Sequence, residues 1–178
     1  MDTDNGRDAR ENIGNGTEGE SKMEIELSEN QKIRIMNGKR MFRVMKEVLA
    51  REKDIENGVE RVWVACLAPS NKLLNLELIS LGASDRTTLE PMQVYRIPLL
   101  KDGTKVIIIH NHPFGELEPS EGDLDVTDRM IQAGRIIGIE MVDHLIITED
   151  AFKSFNEDGI MWQLRMSPKY VPPYEMEQ

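Results

Sequence analysis

Cysteine is nearly absent. Cys66 stands alone in the chain, which excludes an internal disulfide and any zinc site built from clustered thiolates. A chain without cross-links suits a reducing compartment, so the cytoplasm is the expected location. Long apolar runs are missing too. The opening stretch, MDTDNGRDARENIGNG, has none, and nothing downstream approaches the roughly 20 residues of a bilayer-spanning helix. Neither a membrane span nor a standard export signal is expected. Positive charge is in deficit, with a net charge of -10. The average field of such a chain repels phosphate backbones and anionic membranes, which makes nucleic acid a disfavoured partner. Much of that deficit sits at the front, where residues 1–30 carry nine acids against Arg7, Arg10 and Lys22, leaving -4 for the rest.

What is present suffices for one domain. A chain of 178 residues with 39% hydrophobic side chains can bury a single core. Residues 1–22 have almost nothing to bury and are read as a disordered acidic tail. The domain is expected over 23–166, and the prolines at 168, 172 and 173 mark 167–178 as an irregular tail. Met41, Val44, Met45, Val48 and Leu49 share one helical face and predict a helix from Gly38 to about Glu52. Glu60–Leu67 and Leu73–Leu81 read as two strands of a hairpin, parted by Pro69-Ser70-Asn71. Between Leu89 and Leu100, Pro91 suits a first helical turn while Pro98 predicts a short or broken helix. The run KVIIIH, Lys105–His110, has the continuous apolar character of a strand covered on both faces. A helix from Ser120 to Gly138 follows, with Val126, Met130, Ala133 and Ile137 on one side; then strands at His144–Thr148 and near Phe152–Phe155, and a last turn from Gly159 to about Met166. Strands alternating with helices around a central apolar strand predict an α/β layered domain.

The segment from His110 to Asp123 carries the chemistry. Residues i and i+2 of a strand point the same way, so His110 and His112 can aim both imidazoles at one point. After a loop with Gly115 and two prolines, Asp123 falls in the first turn of the next helix, where its carboxylate can return to that point. Two neutral nitrogens and a carboxylate oxygen, with a fourth position open to water, describe a catalytic zinc site. A plainer reading competes for part of this, since Ser120 and Asp123 also have the spacing of a helix capping box. A zinc site of this type needs a proton acceptor that does not bind the metal. Glu60, at the rim of the apolar strand ERVWVACL, is the candidate, against the plainer reading of a solvated strand-end charge; Glu116, Glu118 and Glu121 are rivals in the loop, most of them expected to face solvent.

The run HNHPFGELEPSEGD resembles the JAMM metal signature, His-x-His-Pro followed after a loop by Ser-x-x-Asp, and it matches at each of those positions. More narrowly, the HNHP-x-G and PS-x-x-D pieces, the Thr127 region, AGRIIGI, DHLIIT and the strand ERVWVACLAPSNKLL resemble the RadC-type branch of JAB/MPN domains, over roughly residues 40–165. Phe114 departs from the serine usual there, at a position with no ligand role. The resemblance implies a three-layer fold similar to cytidine deaminases, a mixed β-sheet flanked by helices. It also implies His110, His112 and Asp123 as ligands of Zn2+, Glu60 as general acid/base and Ser120 as hydrogen-bond donor to the oxyanion. The implied activity is that of a zinc-dependent metallopeptidase or isopeptidase acting on a peptide or protein. Two other classes stand beside it: a DNA-associated RadC-type protein without peptidase activity, which the acidic charge disfavours, and a non-catalytic scaffold, which has no use for a complete ligand set.

The remaining polar and aromatic residues have plainer readings. Asp143 and His144 are taken as structural, the acid bonding local backbone and the imidazole satisfied within a core. Cys66 is read as a small core residue, and Trp63 and Trp162 as packing. Specificity is expected from the loops Ser84–Thr88 and Phe114–Glu118.

Overall fold

A computed structural model describes residues 23–28, 33–51, 59–81 and 89–171. The tail expected over 1–22, the loop Ser84–Thr88 and the last residues from 172 lie outside the described residues. The elements are β1 (Met23–Glu24), α1 (Gly38–Arg51), β2 (Arg61–Leu67), β3 (Leu73–Leu81), α2 (Pro91–Leu100), β4 (Lys105–Asn111), α3 (Glu121–Ile137), β5 (Glu140–Ile147), β6 (Phe152–Ser154) and α4 (Ile160–Arg165).

One sheet runs in the order β1-β3-β2-β4-β5-β6. All neighbours pair antiparallel except β4 and β5, which α3 joins as a crossover. The KVIIIH strand therefore sits inside the sheet, and its residues from Val106 to His110 are buried. Alternation along β2 and β4 divides the core in two. Trp63, Ala65, Leu67, Ile107 and Ile109 pack with Met41, Val44, Met45 and Val48 of α1. Val64, Cys66, Val106 and Ile108 pack with Val94 and Ile97 of α2 and Val126 and Met130 of α3. Helix, sheet and helices form three layers. Each fully buried aliphatic or aromatic side chain contributes about 1.5–3 kcal/mol toward holding them together.

Two expectations need correction, the start of β5 and the packing of Trp162. The helix at Pro91–Leu100 is short, as expected, and unbroken despite Pro98. That proline lies in the last turn, so it removes only the bond to the Val94 carbonyl, and Lys101 N–H still reaches the Ile97 carbonyl at 3.0 Å. Strand β5 begins at Glu140, four residues before His144, because parallel pairing with β4 starts at Lys105 opposite Glu140 and carries the polar pair Glu140 and Asp143 along. The short edge strand β1, which no sequence pattern marks, adds Met23 and Glu24 to β3. Trp162 is exposed, since α4 turns its neighbour Met161 into the core instead.

One irregularity matters for the site. Val106 pairs with Met141 and Ile107 with Asp143, so Val142 is an extra residue in β5, a β-bulge. Val142 and Leu145 both pack on the α1 side, while Met141 lies on the α3 side. The bulge reverses the alternation and turns His144 to the face that carries His110.

Candidate metal centre

Three elements bring the donors together. His110 is the last buried residue of β4, and His112 extends the strand by donating its backbone N–H to the Ile147 carbonyl at 2.9 Å. A turn then closes with Gly115 N–H on the His112 carbonyl at 3.2 Å, Pro113 supplying the fixed φ of its second position. The loop ends at α3, whose first turn holds Asp123 in the interior, fully buried.

The donor atoms converge closely enough to hold a metal ion. His110 Nε2 lies 2.9 Å from His112 Nε2 and 3.3 Å from Asp123 Oδ1, and His112 Nε2 lies 3.9 Å from Asp123 Oδ2. Among the described residues, these three form the group of His, Cys, Asp and Glu side chains whose donor atoms all fall within 4.8 Å of one another. A tetrahedral ion with bonds of about 2.1 Å separates its ligand atoms by about 3.4 Å, close to the 3.3 Å between His110 Nε2 and Asp123 Oδ1. The donor set of two imidazoles and one carboxylate fits zinc.

Each donor is held from behind. His112 Nδ1–H donates to the Glu116 carbonyl at 2.6 Å, which leaves the lone pair on Nε2. Asp123 Oδ2 accepts from Ser120 N–H at 2.8 Å and Ser120 Oγ–H at 2.7 Å, turning Oδ1 toward His110. Ser120 is thus the N-cap of α3 in a full capping box. The capping reading is right about the helix start, and the same cap aims the carboxylate. In this arrangement the Ser120 hydroxyl faces Asp123, so donation to an oxyanion requires the hydroxyl to rotate.

The profile of the RadC-like JAB domain family matches residues 35–160, which include the histidine pair, the cap and Asp123. The chain belongs to that family. A UPF0758 protein of Methanosarcina barkeri is 30% identical over 133 residues, 75% of this chain and 56% of the relative. Another from Flavobacterium johnsoniae is 35% identical over 127 residues, 71% of this chain and 53% of the relative. A third, from Thermotoga maritima, is 32% identical over 120 residues, covering 67% and 51%. The chain spans about half the length of the curated relatives it matches.

Within this RadC-like domain, Glu60 precedes β2, half-buried. Val62 pairs antiparallel with His110, where the ladder between β2 and β4 ends, so Glu60, two residues before Val62, lies just beyond the end of β2 that adjoins the histidine pair. Asn111, between the histidines, fixes the backbone on both sides of Glu60. It accepts from Arg61 N–H at 2.7 Å and donates to the Val59 carbonyl at 3.1 Å. Glu116, Glu118 and Glu121 are exposed, as expected, and Glu118 pairs with Lys153 at 3.1 Å. Phe114 stands out from the loop almost fully exposed.

Residues that sequence reasoning set aside also reach the site. His144 Nε2 lies 2.8 Å from His110 Nδ1, and His144 Nδ1 lies 2.6 Å from Thr127 Oγ1. The imidazole is satisfied within the core as expected, and one of its partners is a candidate ligand. Asp143 faces the other way and accepts from Ser154 Oγ–H at 2.6 Å, from its neighbour's N–H at 2.8 Å and from Asn156 N–H at 2.9 Å. Burial pushes its carboxyl up to about 6 despite those bonds. Cys66 is a core residue whose thiol burial pushes up to about 11, which leaves it no thiolate near neutrality.

Proposed function

We propose that this RadC-like JAB domain is a zinc-dependent hydrolase of peptide or isopeptide bonds, working in a reducing cytoplasm. The observation that carries this reading is the convergence of His110, His112 and Asp123, with a ring nitrogen of each imidazole and a carboxylate oxygen all within 4.8 Å of one another. These three residues would hold the ion. When bound, zinc supplies Lewis acidity, polarising a carbonyl and lowering the pKa of water toward neutrality. Glu60 accepts a proton from the attacking water and passes it to the leaving amine, its backbone steadied by Asn111. Ser120 turns its hydroxyl to the developing oxyanion and keeps its backbone N–H on Asp123. A peptide or protein is the expected substrate, with Phe114–Glu118 beside the scissile bond.

The test separates metal from turnover. Glu60→Gln is expected to retain about one zinc per chain, lose hydrolysis, and hold a substrate from lysate long enough for identification by mass. An active Glu60→Gln protein would place the base elsewhere. Tight binding of DNA at physiological salt, with no peptidase activity, would favour the DNA-associated reading instead.

A further inference from the structure

The hydrogen bonds behind His110 run in one direction. Thr127 donates its only hydroxyl proton to the Asp123 carbonyl, one helical turn earlier, at 2.5 Å. A carbonyl has no proton to return, so this fixes the first step. The same hydroxyl oxygen lies 2.6 Å from His144 Nδ1 and can only accept there. His144 Nδ1 therefore carries the proton, and its neutral ring keeps a lone pair on Nε2. That lone pair faces His110 Nδ1 at 2.8 Å, so His110 Nδ1 carries the proton in turn. Its Nε2 is left with the lone pair, aimed at His112 and Asp123. Thr127, His144, His110 and Asp123 are all buried, which keeps bulk water from supplying a competing set of bonds.

We infer that Thr127 and His144 are positioning residues whose ordered hydrogen bonds set the tautomer of His110, leaving Nε2 as its donor nitrogen. The value of that tautomer rests on the reading of His110 as a zinc ligand. The chain of bonds begins at the backbone of one candidate ligand, Asp123, and ends at the ring of another. It thereby ties α3 to β4 through β5. His112, at the more exposed end, has its proton fixed by a single carbonyl. A space-filling role for His144 explains none of this order, because a packing residue has no preference between the two ring nitrogens of its neighbour.

The chain holds three histidines, which makes the test direct. Long-range proton–nitrogen correlation spectra of the full metal-free chain report which ring nitrogen of each histidine bears hydrogen. His110 and His144 are both expected as Nδ1–H forms, and His110 as Nε2–H in the wild type would overturn the inference without any variant. Thr127→Val keeps the shape and removes the acceptor. His110 should then shift toward the Nε2–H form, and zinc affinity, measured by competition with a chromophoric chelator, should fall about 10- to 100-fold. Thr127→Ser should restore both readouts. Unchanged tautomers and unchanged affinity in Thr127→Val would refute the inference while the zinc reading stood. Wild-type tautomers as expected, in a chain that takes up no zinc, would uphold the hydrogen-bond order and remove the zinc reading.

Discussion

Replacing Asp123 with alanine should abolish zinc uptake while costing the fold little. The side chain does two jobs that can be weighed separately. As the third residue of a capping box, it accepts two hydrogen bonds from Ser120 at 2.8 and 2.7 Å, and loss of such a cap costs about 1 kcal/mol. As a ligand, it provides the one formal negative charge among the three donors. Losing it should weaken zinc at least about 100-fold, the upper end of what changes one shell further out produce. At free zinc about 100 times the dissociation constant, the wild type gains about 2.7 kcal/mol, and a variant binding 100-fold more weakly gains about 0.4 kcal/mol. At about 2–4 °C per kcal/mol for a domain of this size, zinc should raise the wild-type melting temperature by about 5–11 °C and that of Asp123→Ala by about 1–2 °C. Thermal scans with and without zinc, beside metal analysis of the reloaded proteins, read both quantities. Asp123→Asn can keep an acceptor for Ser120 while turning a donor toward His110, so it should preserve the cap and lose the metal. Equal zinc content and equal thermal shifts in wild type and Asp123→Ala would refute the ligand assignment.

Three further outcomes test the surroundings of the site. The carboxyl of Asp143, pushed up to about 6 by burial, contributes stability that is full below about pH 4 and lost as pH rises through 6, about 3 kcal/mol in all. Asp143→Asn has no such loss, so its melting temperature should gain on the wild type between pH 4 and 7, and parallel curves would remove the assignment. Gly134→Ala sets a methyl group against the Ile139 carbonyl and 2.6 Å from the Tyr95 hydroxyl; the cost is about 1–3 kcal/mol by urea denaturation, and an unchanged midpoint would contradict the close approach. Asn111→Ala removes both bonds beside Glu60, with a loss of about 1–3 kcal/mol and faster amide exchange at Arg61, whereas protection at Arg61 equal to the wild type would mean the clamp is not the constraint.

The ligand set was readable because each of its signals is local. His110 and His112 differ by one strand period, and Ser120 with Asp123 announces a helix start, so alternation and capping rules suffice to bring the three donors to one point. The partners of those donors were not readable in the same way. His144 shares a face with His110 only because Val142 is an extra residue in β5. Simple alternation from the buried Met141 would put Asp143 on the site side and His144 away from it. The Thr127 region contributes to the family resemblance without a role of its own, because that role depends on an imidazole delivered from another strand. Asn111 was the unremarked middle of the histidine pair, and its two backbone bonds depend on where β2 starts. Pro98 decided between the two readings of its helix, short or broken: the rule against proline concerns helix interiors, and this one stands in a last turn that loses a single bond, so the helix is short and unbroken.

Membership in a family fixes a fold more firmly than a chemistry, so the functional reading stands on how the three donors are supported. Behind His112 is the Glu116 carbonyl, behind His110 is His144, and behind Asp123 Oδ2 is the Ser120 cap. Every one of these bonds leaves electron density at the atom facing inward: a proton held on Nδ1 bares Nε2, and donors on Oδ2 turn Oδ1 forward. Three electron-rich atoms that converge in a buried place repel one another, and a protein selected for stability alone would not add supports that sharpen the repulsion. A divalent cation converts the same arrangement into attraction. The supports at His110, His112 and Asp123 are therefore intelligible as parts of a cation site, whichever bond the domain cleaves.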